Sequence, residues 1–178
     1  MVLFGGWDGA NYRGETWVYN PESDQWSQAS AMPTARAFGA ASTLGDVIYV
    51  VGGRNGQGEL DTVEVYDPAG EGGPEGPWTG RPPMSEARSG LGLAAIESNL
   101  YAVGGGWTTP LAFNEQYNAR TSAWSRFDTP VAGQWRNLGL VAHNQKLYAI
   151  GGWGGSYLSL NEGYQAFLRL LLPLGTKG

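Results

Sequence analysis

Apolar residues in this chain come in short runs, and four of these runs stop at a pair of glycines. Residues 1–4 end at Gly5-Gly6, residues 47–51 at Gly52-Gly53, residues 100–103 at Gly104-Gly105, and residues 147–150 at Gly151-Gly152. The steps between the pairs are 47, 52 and 47 residues. Runs of four or five apolar residues bounded by turn formers have the length of a buried strand and are too short for a helix. A period of about 50 residues marks repeated supersecondary units, each of which buries its apolar face on its neighbours.

The same order of elements is predicted within each unit. Strands of small residues at 38–44, 90–96 and 138–142 precede the second, third and fourth glycine-ended runs. Strands at 16–19, 62–66, 113–117 and 160–164 follow the pairs, then outer strands at 25–28 and 124–127 and a last candidate at 167–172. The Gly/Pro/Glu-rich stretch 69–77 is an insertion and accounts for the longer second step. The chain therefore reads as one domain, 1–178, with units of about 1–35, 36–87, 88–134 and 135–174. The first unit lacks its small-residue strand, which leaves fifteen strands, one short of four complete units.

Aromatic residues carry a second marker. Tyr19 and Trp26 are seven apart, as are Tyr117 and Trp124, while Tyr66 and Trp78 are the same pair stretched by the insertion. Tyr164 meets Leu171 where the Trp would stand. Glu64, Glu115 and Glu162 each lie two residues before a Tyr, a place taken by Trp17 in the first unit. With the glycine pairs and the Met-Pro-x-x-Arg stretch (Met32, Pro33, Arg36), this pattern resembles the kelch repeat over nearly the whole chain.

The resemblance implies an all-β, kelch-type β-propeller, each repeat forming one four-stranded blade, here four blades with the first incomplete. Propellers of this family often hold six or seven blades, so the resemblance also implies a C-terminal portion of a longer one. Either the four blades close into a small ring or they stay an open arc. The open arc is the expectation, and it would expose apolar blade faces that call for self-association or for the missing blades.

Charge and composition narrow the functional classes. The net charge is -5, lysine occurs only at Lys146 and Lys177, and no basic run exists, which argues against nucleic acid. Cysteine is absent, so disulfides and thiolate chemistry are excluded. The most apolar stretch, 167–174, contains Arg169 and Pro173 and is too short for a membrane span. No signal peptide is visible at the start, and no compartment is assigned.

The residues that follow the glycines are Trp7, Arg54, Trp107 and Trp153. In a propeller their loops share a face with the starts of the inner strands, which carry Arg36, Arg88, Trp135 and Arg136. These eight residues form the candidate ligand-binding face, with loops 7–13, 54–59, 107–111 and 153–157 as its contact surface. Indoles stack on sugars or peptide side chains, and the guanidinium fork suits carboxylates. The competing reading is packing between blades for each Trp and bonding to loop carbonyls for Arg36 and Arg88.

Other chemistry is sparse. The three recurring glutamates are related by the repeat and do not converge on one substrate atom. His143 is the only histidine, sits beside an Asn144-Gln145 turn, and cannot build a metal site alone. Asp8-Gly9-Ala10-Asn11 lacks the alternating ligands and closing Glu of a calcium loop and reads as a turn. The glycine-rich run 151–155 lacks the Lys-Ser/Thr ending of a phosphate loop. No cofactor or metal is expected. The resulting function is a noncatalytic binding module presenting blade loops to a protein or glycan. The alternatives are a sugar-modifying epimerase or lyase built on Arg, Glu and His143, or an architectural segment of a larger propeller. Kelch-like copper oxidases need a Tyr-Cys crosslink and more than one His, and are set aside.

Overall fold

The computed structural model describes residues 1–73, 76–108, 111–128 and 135–166. Its strands form four separate antiparallel sheets in chain order. The first sheet holds β1 (Val2–Trp7), β2 (Tyr12–Asn20) and β3 (Gln25–Ala29). The second begins with β4 (Ala40–Leu44) and β5 (Val47–Val51). A two-stranded hairpin of β6 (Arg54–Asn55) and β7 (Gly58–Glu59) then intervenes, before β8 (Val63–Tyr66) and β9 (Trp78–Arg81) complete the sheet. The third sheet is β10 (Leu91–Ile96), β11 (Asn99–Gly104), β12 (Phe113–Asn118) and β13 (Ala123–Asp128). The fourth is β14 (Gly139–His143), β15 (Lys146–Ile150) and β16 (Asn161–Gln165). Within each sheet the order is the chain order, so every unit folds as its own meander, and among the described residues no closed barrel forms. The strand expected at 167–172 lies outside the described residues.

The first three glycine pairs sit at seams between sheets, and all four pairs share one backbone form. Their first members have φ of +56°, +63°, +67° and +65°, a region that residues with a Cβ enter at a cost. A Cβ on Gly52 would also sit 2.5 Å from the Arg88 carbonyl of the next sheet. The second glycine then donates its N–H to the same kind of carbonyl: Gly6 to Arg36 at 2.9 Å, Gly53 to Arg88 at 2.9 Å, and Gly105 to Trp135 at 2.6 Å. In the first unit β1 runs on through the pair to Trp7, with a register break between Phe4 and Gly6. There Gly6 and Trp7 pair with Arg13 and Tyr12 in a tight hairpin.

Alternation decides which side chains meet across each seam. Tyr49, Val51, Val63 and Val65 of the second sheet pack on Leu91, Leu93, Leu100, Ala102 and Tyr117 of the third. The opposite side of the third sheet, Ala94, Ile96, Tyr101 and Val103, packs on Trp135, Leu138, Leu147 and Ala149. All six residues of β11 are buried, because that strand is covered on both faces. The Tyr–Trp pairs keep one geometry, with ring centroids 5.1 Å apart for Tyr19–Trp26, Tyr66–Trp78 and Tyr117–Trp124. The insertion leaves Tyr66 opposite Trp78 in register. It reaches back to the first unit, where Glu71 accepts hydrogen bonds from the Ser30 N–H at 2.6 Å and the Ser30 hydroxyl at 2.8 Å.

Candidate functional site

Three of the predicted surface residues meet at one rim of the stack. Arg136 leads into β14, Trp107 follows the third glycine run and Trp153 the fourth, and an isolated antiparallel bridge pairs Arg136 with Trp153. The Arg136 guanidinium lies 4.2 Å from the Trp107 ring centre and 4.1 Å from that of Trp153. Its Nη1 donates to the Trp107 carbonyl at 3.2 Å. Among the described residues no carboxylate forms an ion pair with it. Arg54, from the β6–β7 hairpin, stands farther off at 5.8 Å from Trp107, and Phe38 packs on the same indole at 5.2 Å. An open cavity of about 310 Å³ is lined by Trp107, Arg136, Asn137, Gly152, Trp153 and Tyr157. Tyr157 is 93% exposed at its edge.

The remaining predicted residues lie elsewhere. Trp7 stacks on Tyr12 at 4.7 Å in the first unit. Arg36, Arg88 and Trp135 are buried and take no part in the surface. Arg36 donates to Glu64 at 2.6 Å and to the Gly52 carbonyl at 2.9 Å. Arg88 does the same with Glu115 at 2.8 Å and the Gly104 carbonyl at 2.9 Å. Trp135 takes the third place in this series, its indole N–H reaching the Gly151 carbonyl at 2.9 Å. The second, third and fourth units thus each spend the recurring cation, or the indole that replaces it, on their own glycine turn.

Glu59 ends the predicted contact loop 54–59, but sequence reasoning gave it no role of its own, since it recurs in no other unit. Its carboxylate accepts five hydrogen bonds from the third unit's loops: Ser89 N–H and hydroxyl, Trp107 N–H, and Thr108 N–H and hydroxyl, at 2.7 to 2.9 Å. It ties the β6–β7 hairpin to the loop that carries Trp107. Burial alone would raise its carboxyl pKa, but the bonds from Thr108, Trp107 and Ser89 outweigh that and hold it below the usual value. The stability it contributes is therefore present above the unfolded-state pKa and is lost as pH falls through the lower folded value. Glu59→Gln is expected to cost about 1–2 kcal/mol and to flatten this acid limb. Denaturant titrations at neutral and acid pH, read by tryptophan fluorescence, check both effects.

Among the described residues His143, an arginine and a carboxylate do not line one cavity. His143 ends β14 opposite Lys146, is exposed, and lines neither the cavity with Asp128 and Glu162 nor those with Arg36, Arg136 or the Arg13–Glu15 pair. Among the described residues no group of three or more His, Asp or Glu is placed to hold a metal ion. Asp8 accepts from the Ala10 and Asn11 N–H groups at 2.9 and 2.7 Å, which closes its turn. No helix among the described residues is long and apolar enough to cross a membrane.

Meander sheets stacked side by side, joined at glycine seams and carrying their loops to a rim, define a partial β-propeller. Residues 1–152 match a family model described as the KLHDC2/KLHL20/DRC7 Kelch-repeats domain. The chain belongs to the kelch-repeat family. Kelch-like protein 23 of Homo sapiens is 30% identical over 116 residues, covering 61% of this chain and 19% of that protein. Kelch repeat and BTB domain-containing protein 13 of Homo sapiens is 33% identical over 110 residues, covering 58% and 23%. Beta-scruin of Limulus polyphemus is 33% identical over 91 residues, covering 51% and 9%. The chain spans about a fifth of the first two of these relatives.

Proposed function

We propose that this chain is a noncatalytic protein-interaction module whose loop face takes hold of an acidic side chain of its partner through Arg136. One observation carries the reading: a guanidinium held between two indoles at the rim of an open cavity, without a carboxylate of its own among the described residues. The two indoles hold the guanidinium at about 4 Å, and its N–H donors other than the one on the Trp107 carbonyl can form a carboxylate fork. Stacked guanidinium is partly desolvated already, so binding a carboxylate costs it less water than a mobile surface arginine would lose. Trp153 and Tyr157 flank the cation with apolar surface of the kind that anchors protein contacts. A glycan partner remains the second ligand class, with Tyr157 as the exposed ring on which a sugar would stack. Within this proposal the four units of residues 1–178 act as one domain and serve as part of a larger propeller, a reading supported by the greater length of the relatives.

Binding to arrayed acidic, neutral and basic peptides, with a glycan array beside them, tests this. Acidic peptides are expected to bind, and Arg136→Ala to weaken them by about tenfold or more. Arg136→Lys should restore only part, because an ammonium lacks the planar fork. Binding that ignores peptide charge, or that survives Arg136→Ala, overturns it.

A further inference from the structure

A second uncompensated cation approaches Trp107. Arg54 opens the β6–β7 hairpin, and its guanidinium lies 5.8 Å from the indole centre that Arg136 approaches to 4.2 Å. Its Nε is closed off from solvent and has no hydrogen-bond partner among the described residues. A buried donor left unpaired is costly, so such a group calls for an explanation. Arg88 also leaves its Nε unpaired, but there Glu115 balances the charge. Arg54 has no such counter-charge: among the described residues no carboxylate forms an ion pair with it. The residue is only half-buried, which leaves its terminal N–H groups to an acceptor from outside.

The nearest carboxylate is otherwise engaged. Glu59 is the strand partner of Arg54, yet its oxygens are committed to Ser89, Trp107 and Thr108. Outside the described residues the sequence holds one acidic side chain, Glu75. The rim thus gathers two cations around Trp107, in a chain whose net charge is -5. Each guanidinium offers its own fork of donors, so matching both in charge and in bonds takes two carboxylates. Both groups are measured from one ring centre, so their separation cannot exceed the two distances taken together. Acidic side chains two residues apart on an extended segment face the same way and stand about 7 Å apart. Phe38, 43% exposed, packs on Trp107 and adds apolar surface beside the pair.

We propose that the partner segment taken by Arg136 is extended and carries two acidic side chains two residues apart, the second of which is bound by Arg54. This rests on the reading of Arg136 as a carboxylate site and adds a second subsite to it. Arg136 supplies the hold on the first acid, and Arg54 makes the surface select for the pair. A carboxylate on the terminal N–H groups of Arg54 neutralises a charge that the inner side of the group leaves unmet.

The test titrates the 178-residue chain with three hexapeptides that differ at two positions. One has glutamate at its second and fourth positions, and the others replace one or the other by glutamine. The diglutamate peptide is expected to bind about tenfold more tightly than either glutamine form. Arg54→Ala should erase that difference, and Arg54→Lys should restore only part of it. Arg136→Ala should weaken all three. The Arg54 side chain donates no hydrogen bond within the described residues, so Arg54→Ala should leave the thermal midpoint unchanged. On the unaltered chain, the NMR signal of the Arg54 Nε–H should move further with the diglutamate peptide than with either glutamine form, a readout that needs no variant to fold. The proposal is overturned by a diglutamate peptide that binds no tighter, by an advantage that survives Arg54→Ala, or by a peptide with one phosphoserine that matches it through both arginines. No binding by any of the three sinks the reading of Arg136 itself.

Discussion

Glu115→Ala is expected to destabilise the protein by about 3–5 kcal/mol, measured as a fall in the denaturant midpoint at constant slope. Glu115 and Arg88 side chains are both 0% exposed and meet at 2.8 Å. Burial pulls the Arg88 guanidinium pKa down, and the Glu115 charge opposes that pull. Without the carboxylate, the cation keeps the Gly104 carbonyl at 2.9 Å and the more distant Phe113 carbonyl at 3.4 Å. Two neutral acceptors do not replace a counter-charge in a dry seam. The Ser85 N–H loses its acceptor as well. The double change Arg88→Met with Glu115→Leu should recover much of the loss, since a buried pair gains little over a well-packed apolar one. Should Glu115→Ala cost no more than an average surface change, the seam is wet and this account of it fails.

The framework was legible in the sequence because each unit must satisfy the same internal demands. Gly52 recurs as Gly104 since the next sheet's carbonyl approaches too closely for a Cβ, and Tyr66 meets Trp78 across twelve residues since the insertion leaves the β8–β9 register intact. The site was legible only in part, for a related reason. Arg36 and Arg88 entered the candidate surface because they stand at the start of inner strands, yet recurrence at a fixed offset marks a frame residue bonded to its own glycine turn. Arg136 stands one residue beyond that offset, and that displacement frees it for the rim. Loop 54–59 entered the candidate surface, but the bonding role of Glu59 was not legible, because its five bonds join two units and a repeat period carries no information about such contacts. Residues that depart from the repeat are therefore the better guide to what distinguishes this surface.

The fourth unit takes that reasoning to its largest expected effect. Trp135→Ala should cost about 3–5 kcal/mol, because the indole is 1% exposed and fills the seam between the third and fourth sheets. It should also loosen the rim, since Trp135 directly precedes Arg136 and its carbonyl receives the Gly105 N–H. Trp135→Arg is the informative comparison. The new guanidinium would stand at the offset from Glu162 that separates Arg88 from Glu115. Glu162 lines the same cavity of about 290 Å³ as Trp135, and it forms no ion pair among the described residues. The Gly151 carbonyl that accepts from the indole at 2.9 Å is the counterpart of the one that accepts from Arg88. An arginine there rebuilds the bonding of the third unit, so it should retain more stability than alanine and keep Arg136 in place for acidic peptides. If arginine proves as damaging as alanine, indole volume sets the seam, and Glu162 has no part in it.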